Sequence, residues 1–185
     1  MPDQVDRLVA AWRRERPDLN VEPLEVLSRV SRLARHLELA RRESLERLAL
    51  PQWQFDVLTA LRRAGAPCEM TPGELMAETL VSSGTMTHRV DQMTAAGLVA
   101  RLPDPDDGRV VRVRLTPEGR AAVDRAMTDL LERERALLGS LTTTEQARLA
   151  ALLRTLLEGF DQRSGQTASE RPSPPSRGSL GSSPR

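Results

Sequence analysis

Several residue types are scarce in this chain of 185 residues. It has one cysteine, two histidines, two tryptophans, two phenylalanines and no tyrosine, and all 27 of its basic side chains are arginine. The lone Cys68 excludes an internal disulfide and a cysteine metal cluster, and fits a reducing cytoplasm. His36 and His88 fall in different helical segments, no serine sits in a nucleophile-elbow setting, and no glycine-rich phosphate loop or metal spacing occurs. Catalytic residues, a metal and a cofactor are therefore not expected. Nothing in the chain resembles a signal peptide or an apolar run of membrane length: Met1 to Leu8 is charged, and arginine and glutamate interrupt the leucines elsewhere. A cytoplasmic protein without membrane contact is expected. Charge of one sign is missing as well, since the formal net charge is +1. Between residues 51 and 120, eight arginines meet nine acids, so any nucleic-acid contact depends on where individual arginines point.

What is present is concentrated between Met70 and Leu115. Thr71-Pro72-Gly73-Glu74 combines a capping residue, a proline suited to the first helical position and a glutamate placed to return the capping bond. The helix it opens is expected to carry Leu75, Met76 and Leu80 inward. The Val81-Ser82-Ser83-Gly84 turn follows, then a second helix from roughly Ser83 to Ala96, ended by Gly97. On a 3.6-residue wheel Met86, Val90 and Met93 share one face. Gly84, His88, Asp91 and Gln92 lie opposite, with Thr85, Thr87 and Arg89 on the flanks. A thin apolar seam behind a small hydrogen-bonding face suits a major groove. An ordinary amphipathic surface helix has the same pattern. Beyond Gly97, Leu98 to Leu102 and Arg109 to Leu115 read as two strands joined by a Pro/Asp/Gly turn. Val111, Val113 and Leu115 are expected inward and Arg112 and Arg114 outward. Asp107 is expected to hold Arg109 by a charge-assisted bond, aiming it at a minor groove.

The flanks are helical. Val5, Leu8, Val9 and Trp12 form a short apolar stripe stopped near Pro17. A long run from Pro23 to about Leu48 aligns Val26, Val30, Leu33, Leu37 and Ala40. A helix of about 25 residues spans roughly 38 Å, more than a small domain needs, and implies a second partner. Pro51 to Arg63 gives another helix, with Asp56 between Phe55 and Val57. Thr116-Pro117-Glu118 opens a helix running to Gly139. Thr142 and Glu145 form a further capping box, ahead of a stripe from Leu149 to Phe160 that also needs a covering surface. From Ser164 the composition turns to Ser, Pro, Gly and Arg, which predicts disorder.

The hairpin and its surroundings resemble the MarR family of winged helix-turn-helix regulators. The carrying residues are Gly97-Leu98-Val99-Ala100-Arg101, Asp104-Pro105-Asp106-Asp107-Gly108-Arg109 and Leu115-Thr116-Pro117-Glu118-Gly119, and the similarity covers roughly residues 3 to 162. It implies a mainly α fold in four parts. Residues 1–49 and 117–162 build a dimerisation lobe, 50–116 a winged helix-turn-helix domain with a small β-hairpin wing, and 163–185 a disordered tail. It implies a homodimer that binds double-stranded DNA at a palindromic operator and releases it on meeting a small ligand. The expected DNA-contact set is Ser83, Thr85, Thr87, His88, Arg89, Gln92, Asp107, Arg109 and Arg112.

One subgroup of that family, the urate-responsive regulators and their relatives, carries a Trp on an added N-terminal helix, an Asp in the second core helix and two Arg around the recognition helix. Trp12, Asp56, Arg89 and Arg101 match those positions. The resemblance implies a pocket in which Trp12 stacks on a flat anionic ligand and Arg101 pairs with its charge. Asp56 is displaced, and Arg89 carries the strain to the reading helix. Urate is the leading candidate, and other small aromatic or carboxylate ligands remain open. Each residue also has a plainer reading: Trp12 as core, Arg101 on a phosphate or strand edge, Arg89 as a cap on the seam. A helical dimerisation module without DNA binding is the alternative class, and it leaves the wing unexplained.

Overall fold

The computed structural model of the chain describes residues 1–104 and 107–169, with side chains as far as 160. It divides into two compact units, the first Met1–Leu137 and the second beginning at Leu138. Helix α1 (Gln4–Glu15) starts from a capping box in which Asp3 accepts the Val5 and Asp6 amides while Asp6 accepts the Asp3 amide. It buries Val5 and Val9 in a small cluster with Val21. Helix α2 (Glu22–Arg47) closes on α1 through Arg29, which donates to Asp3 at 2.9 Å, Asp6 at 2.6 Å and Glu25 at 3.1 Å. These bonds and the capping amides draw the Asp3 carboxyl below its usual range, the Asp6 backbone contributing most.

Most of α2 faces away from the rest of its own unit. Only Ser44 and Leu45 are buried in it, while Val26, Val30, Leu33 and Leu37 stay exposed along one stripe. Its last turns are fixed to α6 (Pro117–Leu137) by Ser44, which donates to Asp129, and by Arg47 on the same carboxylate. Arg133 adds bonds to Asp129 and Glu43, both at 3.2 Å. The Ser44 hydroxyl first, and then Arg47, hold the Asp129 carboxyl below the usual range.

The main core gathers around α3 (Gln52–Arg63), which buries Phe55, Val57, Leu58, Ala60 and Leu61. Helix α4 (Pro72–Thr79) adds Leu75, and α5 (Ser83–Ala95) adds Met86, Val90 and Met93. Both helices start as their sequences direct: the Thr71/Glu74 capping box is formed, and Ser82 caps α5. Strands β1 (Glu69–Met70), β2 (Val99–Pro103) and β3 (Val111–Leu115) form an antiparallel sheet in the order β1-β3-β2. Two residues of strand leave no periodic signal, so β1 was not foreseeable. In the second unit, α7 (Thr143–Ser169) begins at the Thr142/Glu145 box and leaves Leu152, Leu156, Leu157 and Phe160 exposed. It continues past Ser164, where the composition changes; the remainder of the segment expected to be disordered, 170–185, lies outside the described residues.

Two core expectations are corrected. Leu80 is not inward; it takes the left-handed C-cap of α4 (φ 53°) and is 91% exposed, because that conformation turns the chain toward α5. Val111 is exposed as well, since its partner across the ladder is Pro103 at the outer end of the hairpin, whereas Val113 and Leu115 reach the core.

The seam between the end of α5 and α6 is tight. Thr116 donates its hydroxyl to the Gly97 carbonyl at 2.6 Å and accepts the Gly119 amide at 3.0 Å. A Cβ on Gly119 would lie 1.9 Å from the Leu98 carbonyl oxygen, part of rigid backbone. Gly119→Ala should therefore cost about 2–3 kcal/mol, as overpacked cores do, read as a lower urea midpoint. An unchanged midpoint would mean that α6 is not seated there. A second expectation concerns acid. The Asp129 carboxyl is lowered on folding, so its contribution is complete above the ordinary carboxylate range and disappears as pH falls through the lowered value. In thermal melts between about pH 5 and pH 3, wild type should lose stability more steeply than Asp129→Asn.

Candidate nucleic-acid interface and ligand pocket

With Met86, Val90 and Met93 sunk in the core, α5 has one orientation available. Ser83, Thr85, Thr87, His88 and Gln92 of the expected contact set then lie exposed along it. The Thr87 hydroxyl donates back to the Ser83 carbonyl at 3.1 Å, which leaves its oxygen free to accept. Thr85 has its hydroxyl 2.9 Å from that of Ser82. His88 and Gln92 make no side-chain hydrogen bond among the described residues, so their polar atoms are available to base edges.

Arg89 behaves differently from its neighbours. Its guanidinium lies over the indole of Trp53, 5.6 Å from the ring centroid, and ties α5 to the first turn of α3. The helix has a second tie, from Asp91 to Arg101 on β2 at 2.7 Å, with both side chains about half exposed. Sequence reasoning placed Asp91 on the outer face without a partner and Arg89 on the flank. Neither pairing leaves a local signal, because each joins residues from different elements.

In the wing, Arg109 is exposed and forms no ion pair among the described residues. Asp107 does not clamp its guanidinium as expected; the Asp107 carboxylate accepts the Arg109 backbone amide at 3.0 Å, the bond of an Asx-type turn. Arg112 and Arg114 are not presented as free cations. Arg112 donates Nε to Asp104, which is 8% exposed, and stands 3.8 Å from Glu69; Arg114 meets Glu69 at 2.6 Å. Asp104 first, with Glu69 and Glu74 after it, raises the Arg112 guanidinium above its ordinary value.

Asp56 accepts from the Gln52 amide at 2.8 Å and borders a cavity of about 420 Å³ between α3 and α6. Phe55, Val123, Met127 and Leu130 give it an apolar wall, and Arg41, Arg62, Arg63 and Glu134 line it as well. Arg62 is engaged by Asp124 at 2.8 Å and Arg63 by Glu78 at 3.0 Å, while Arg41 forms no ion pair among the described residues. Trp12, Arg89 and Arg101 do not line this cavity. Trp12 is 45% exposed on α1, so it is not core in the single chain. The four matched residues are therefore not assembled in one pocket by one chain.

A capped two-helix unit with a buried seam and a polar outer face, flanked by a three-stranded sheet whose loop carries an exposed arginine, defines a winged helix-turn-helix protein. Comparison with known proteins agrees. The model of the MarR family matches residues 50–110. PecS of Dickeya dadantii, an HTH-type transcriptional regulator, is 35% identical over 150 residues, which is 81% of this chain and 90% of PecS. A variant of Escherichia coli MarR complexed with operator DNA is similar at TM-score 0.57 and 31% identity, covering 74% of this chain and 95% of that one. BpsR of Bordetella bronchiseptica, whose DNA binding is regulated by 6-hydroxynicotinic acid, gives TM-score 0.55 and 27% identity, covering 71% and 91%. The chain belongs to the MarR family, and is a transcriptional regulator rather than an enzyme.

The Arg89 stack can be examined with no ligand present. In a Trp12→Phe background, which leaves Trp53 as the sole indole, Arg89→Ala should shift the emission maximum while the fold is retained. It should lower stability by about 0.5–1 kcal/mol, the usual range for an exposed cation–π pair. Identical spectra would place the guanidinium away from the ring.

Proposed function

We propose that the chain is a repressor that binds a palindromic operator as a homodimer and releases it when a small, flat anionic metabolite binds, with urate the leading candidate. The observation that carries the DNA reading is the exposed run of Ser83, Thr85, Thr87, His88 and Gln92 on a helix whose opposite face is wholly buried. Arg109 is the wing residue for the neighbouring minor groove, where negative potential favours arginine. The dimer reading is supported by the apolar stripes of α2 and α7, each left exposed and each of the kind a second copy covers.

The ligand reading is supported by the cavity at Asp56, with its apolar wall and with three arginines against Asp56 and Glu134 among its lining residues. An anion entering beside Asp56 places like charges together, so the carboxylate must move or take a proton. Trp53 lies one helical turn before Asp56 on α3 and holds Arg89 of α5, which gives a displaced α3 a direct handle on the reading helix. Trp12 and Arg101 do not line that cavity in the single chain, so in this reading the homodimer and a shift of the wing bring Trp12 to stack on the ligand and free Arg101 from Asp91 to pair with its charge. A second ligand class, aromatic carboxylates, is favoured by the regulation of BpsR by 6-hydroxynicotinic acid.

The test is a titration of urate, related purines and aromatic carboxylates against the protein bound to its own upstream DNA, reading anisotropy and tryptophan emission together. Release by at least one of these ligands is expected, and it should be blunted in Trp12→Phe and Arg101→Ala. By linkage, DNA must weaken ligand binding by the same factor. Arg109→Ala should bind the operator weakly with an intact fold. His88→Ala and Gln92→Ala should alter base preference, each contact being worth about 1–3 kcal/mol. If Arg101→Ala releases DNA as wild type does, the pocket lies elsewhere.

A further inference from the structure

The wing of this protein contains an acid where simple electrostatics would forbid one. Asp104 is nearly buried at the base of the loop and uses both carboxylate oxygens. Oδ1 accepts the backbone amide of Asp107 at 3.1 Å, and Oδ2 accepts Nε of Arg112. From Asp107 the order is passed on, since its own carboxylate accepts the Arg109 amide at 3.0 Å and its carbonyl accepts the Val110 amide at 2.8 Å. The Asp104 amide closes the loop on the Val110 carbonyl at 2.9 Å. Arg109 therefore leaves a backbone whose direction is set, two bonds back, by Asp104.

The other arm of the network anchors Asp104 to the sheet. Arg112 extends from Asp104 toward Glu69 on β1, and Glu69, its side chain 13% exposed, receives Arg114 through both Nε (2.7 Å) and a terminal nitrogen (2.6 Å). Acids and arginines alternate along the chain Asp104, Arg112, Glu69, Arg114, crossing from the loop to the far strand. Two of the arginines that sequence reasoning turned toward solvent are thereby neutralised within the protein.

We propose that Asp104 and Glu69 are positioning residues for operator binding. They hold Arg112 and Arg114 inside the wing as struts and aim Arg109 as the wing's DNA contact. The inference rests on the reading of the chain as a DNA-binding regulator. It assigns Arg112 a part in holding the wing in place of a contact with DNA.

This assignment reverses the sign that charge alone predicts. Removing an acid near a phosphate-facing surface should tighten binding if Asp104 and Glu69 act only through their charge. If they act as struts, removal should weaken it. The experiment measures operator affinity over a series of salt concentrations for wild type, Asp104→Asn, Arg109→Ala and the double variant, with melting temperature recorded for each. Asp104→Asn should bind about tenfold more weakly and reduce the salt slope by about one, as one arginine no longer displaces a counterion from the DNA. In the Arg109→Ala background the same substitution should have no further effect, because its target is already gone. Glu69→Gln cuts the far end of the network without touching the loop, so it should give a smaller loss in the same direction and serves if Asp104→Asn does not fold. Tighter or unchanged binding by the folded variants overturns the proposal, as does a loss of equal size with and without Arg109. If wild type binds no duplex at any salt concentration, the DNA reading itself fails, a result distinct from these.

Discussion

The structure depends on the burial of one narrow seam. Met86, Val90 and Met93 occupy the same core as Leu58, Leu61 and Leu75, and all six are essentially inaccessible to water. Each fully buried side chain of this size contributes roughly 1.5–3 kcal/mol. Rotating α5 by even one residue, about 100°, would bring a polar residue into that space. The apolar seam therefore decides which side chains face outward, and the polar residues gain their role by being left over. Neighbouring elements reinforce the same register. The Thr116 hydroxyl closes on the carbonyl of Gly97, and the absence of a side chain on Gly119 lets α6 press against Leu98.

Charge in this protein serves position more than attraction. The central segment is close to neutral, and many of its arginines are spent internally: Arg62 on Asp124, Arg63 on Glu78, Arg101 on Asp91, Arg112 on Asp104, Arg114 on Glu69. The guanidinium suits this use, being always charged and able to bond in a fixed direction. Pairs at half-exposed sites such as Arg101 with Asp91 are worth little in stability, and for that reason can be exchanged for another anion at little cost. Pairs set against the sheet, as at Asp104 and Glu69, are far better defined.

Between the region around Asp56 and α5 the chain of contacts is short. Trp53 and Asp56 lie on neighbouring turns of α3, and the Trp53 ring carries Arg89. The second tie, from Asp91 to Arg101, runs from α5 to the root of the wing. A shift in either would change the angle at which the outer face of α5 is offered. A ligand can produce such a shift only to the extent that it binds one arrangement better than the other.

The sequence by itself determined the elements and their ends. Capping residues, glycines and apolar periods act over three or four residues, so Asp3, Thr71, Ser82 and Thr142 start helices and Gly97 stops one whatever the rest of the chain does. It also determined the face of α5 that is buried and the presence of stripes on α2 and α7 that their own unit does not cover. The tertiary structure alone decided the partners of the charged side chains. Arg112 reaches Glu69 across 43 positions, and Arg89 finds Trp53 across 36. It decided, too, that Leu80 and Val111 point outward, one through a left-handed cap and the other through its place at the open end of a ladder. Local rules fix which residue types begin, end and bury an element. Which arginine meets which acid follows from how elements pack, and packing brings together residues that the chain keeps apart.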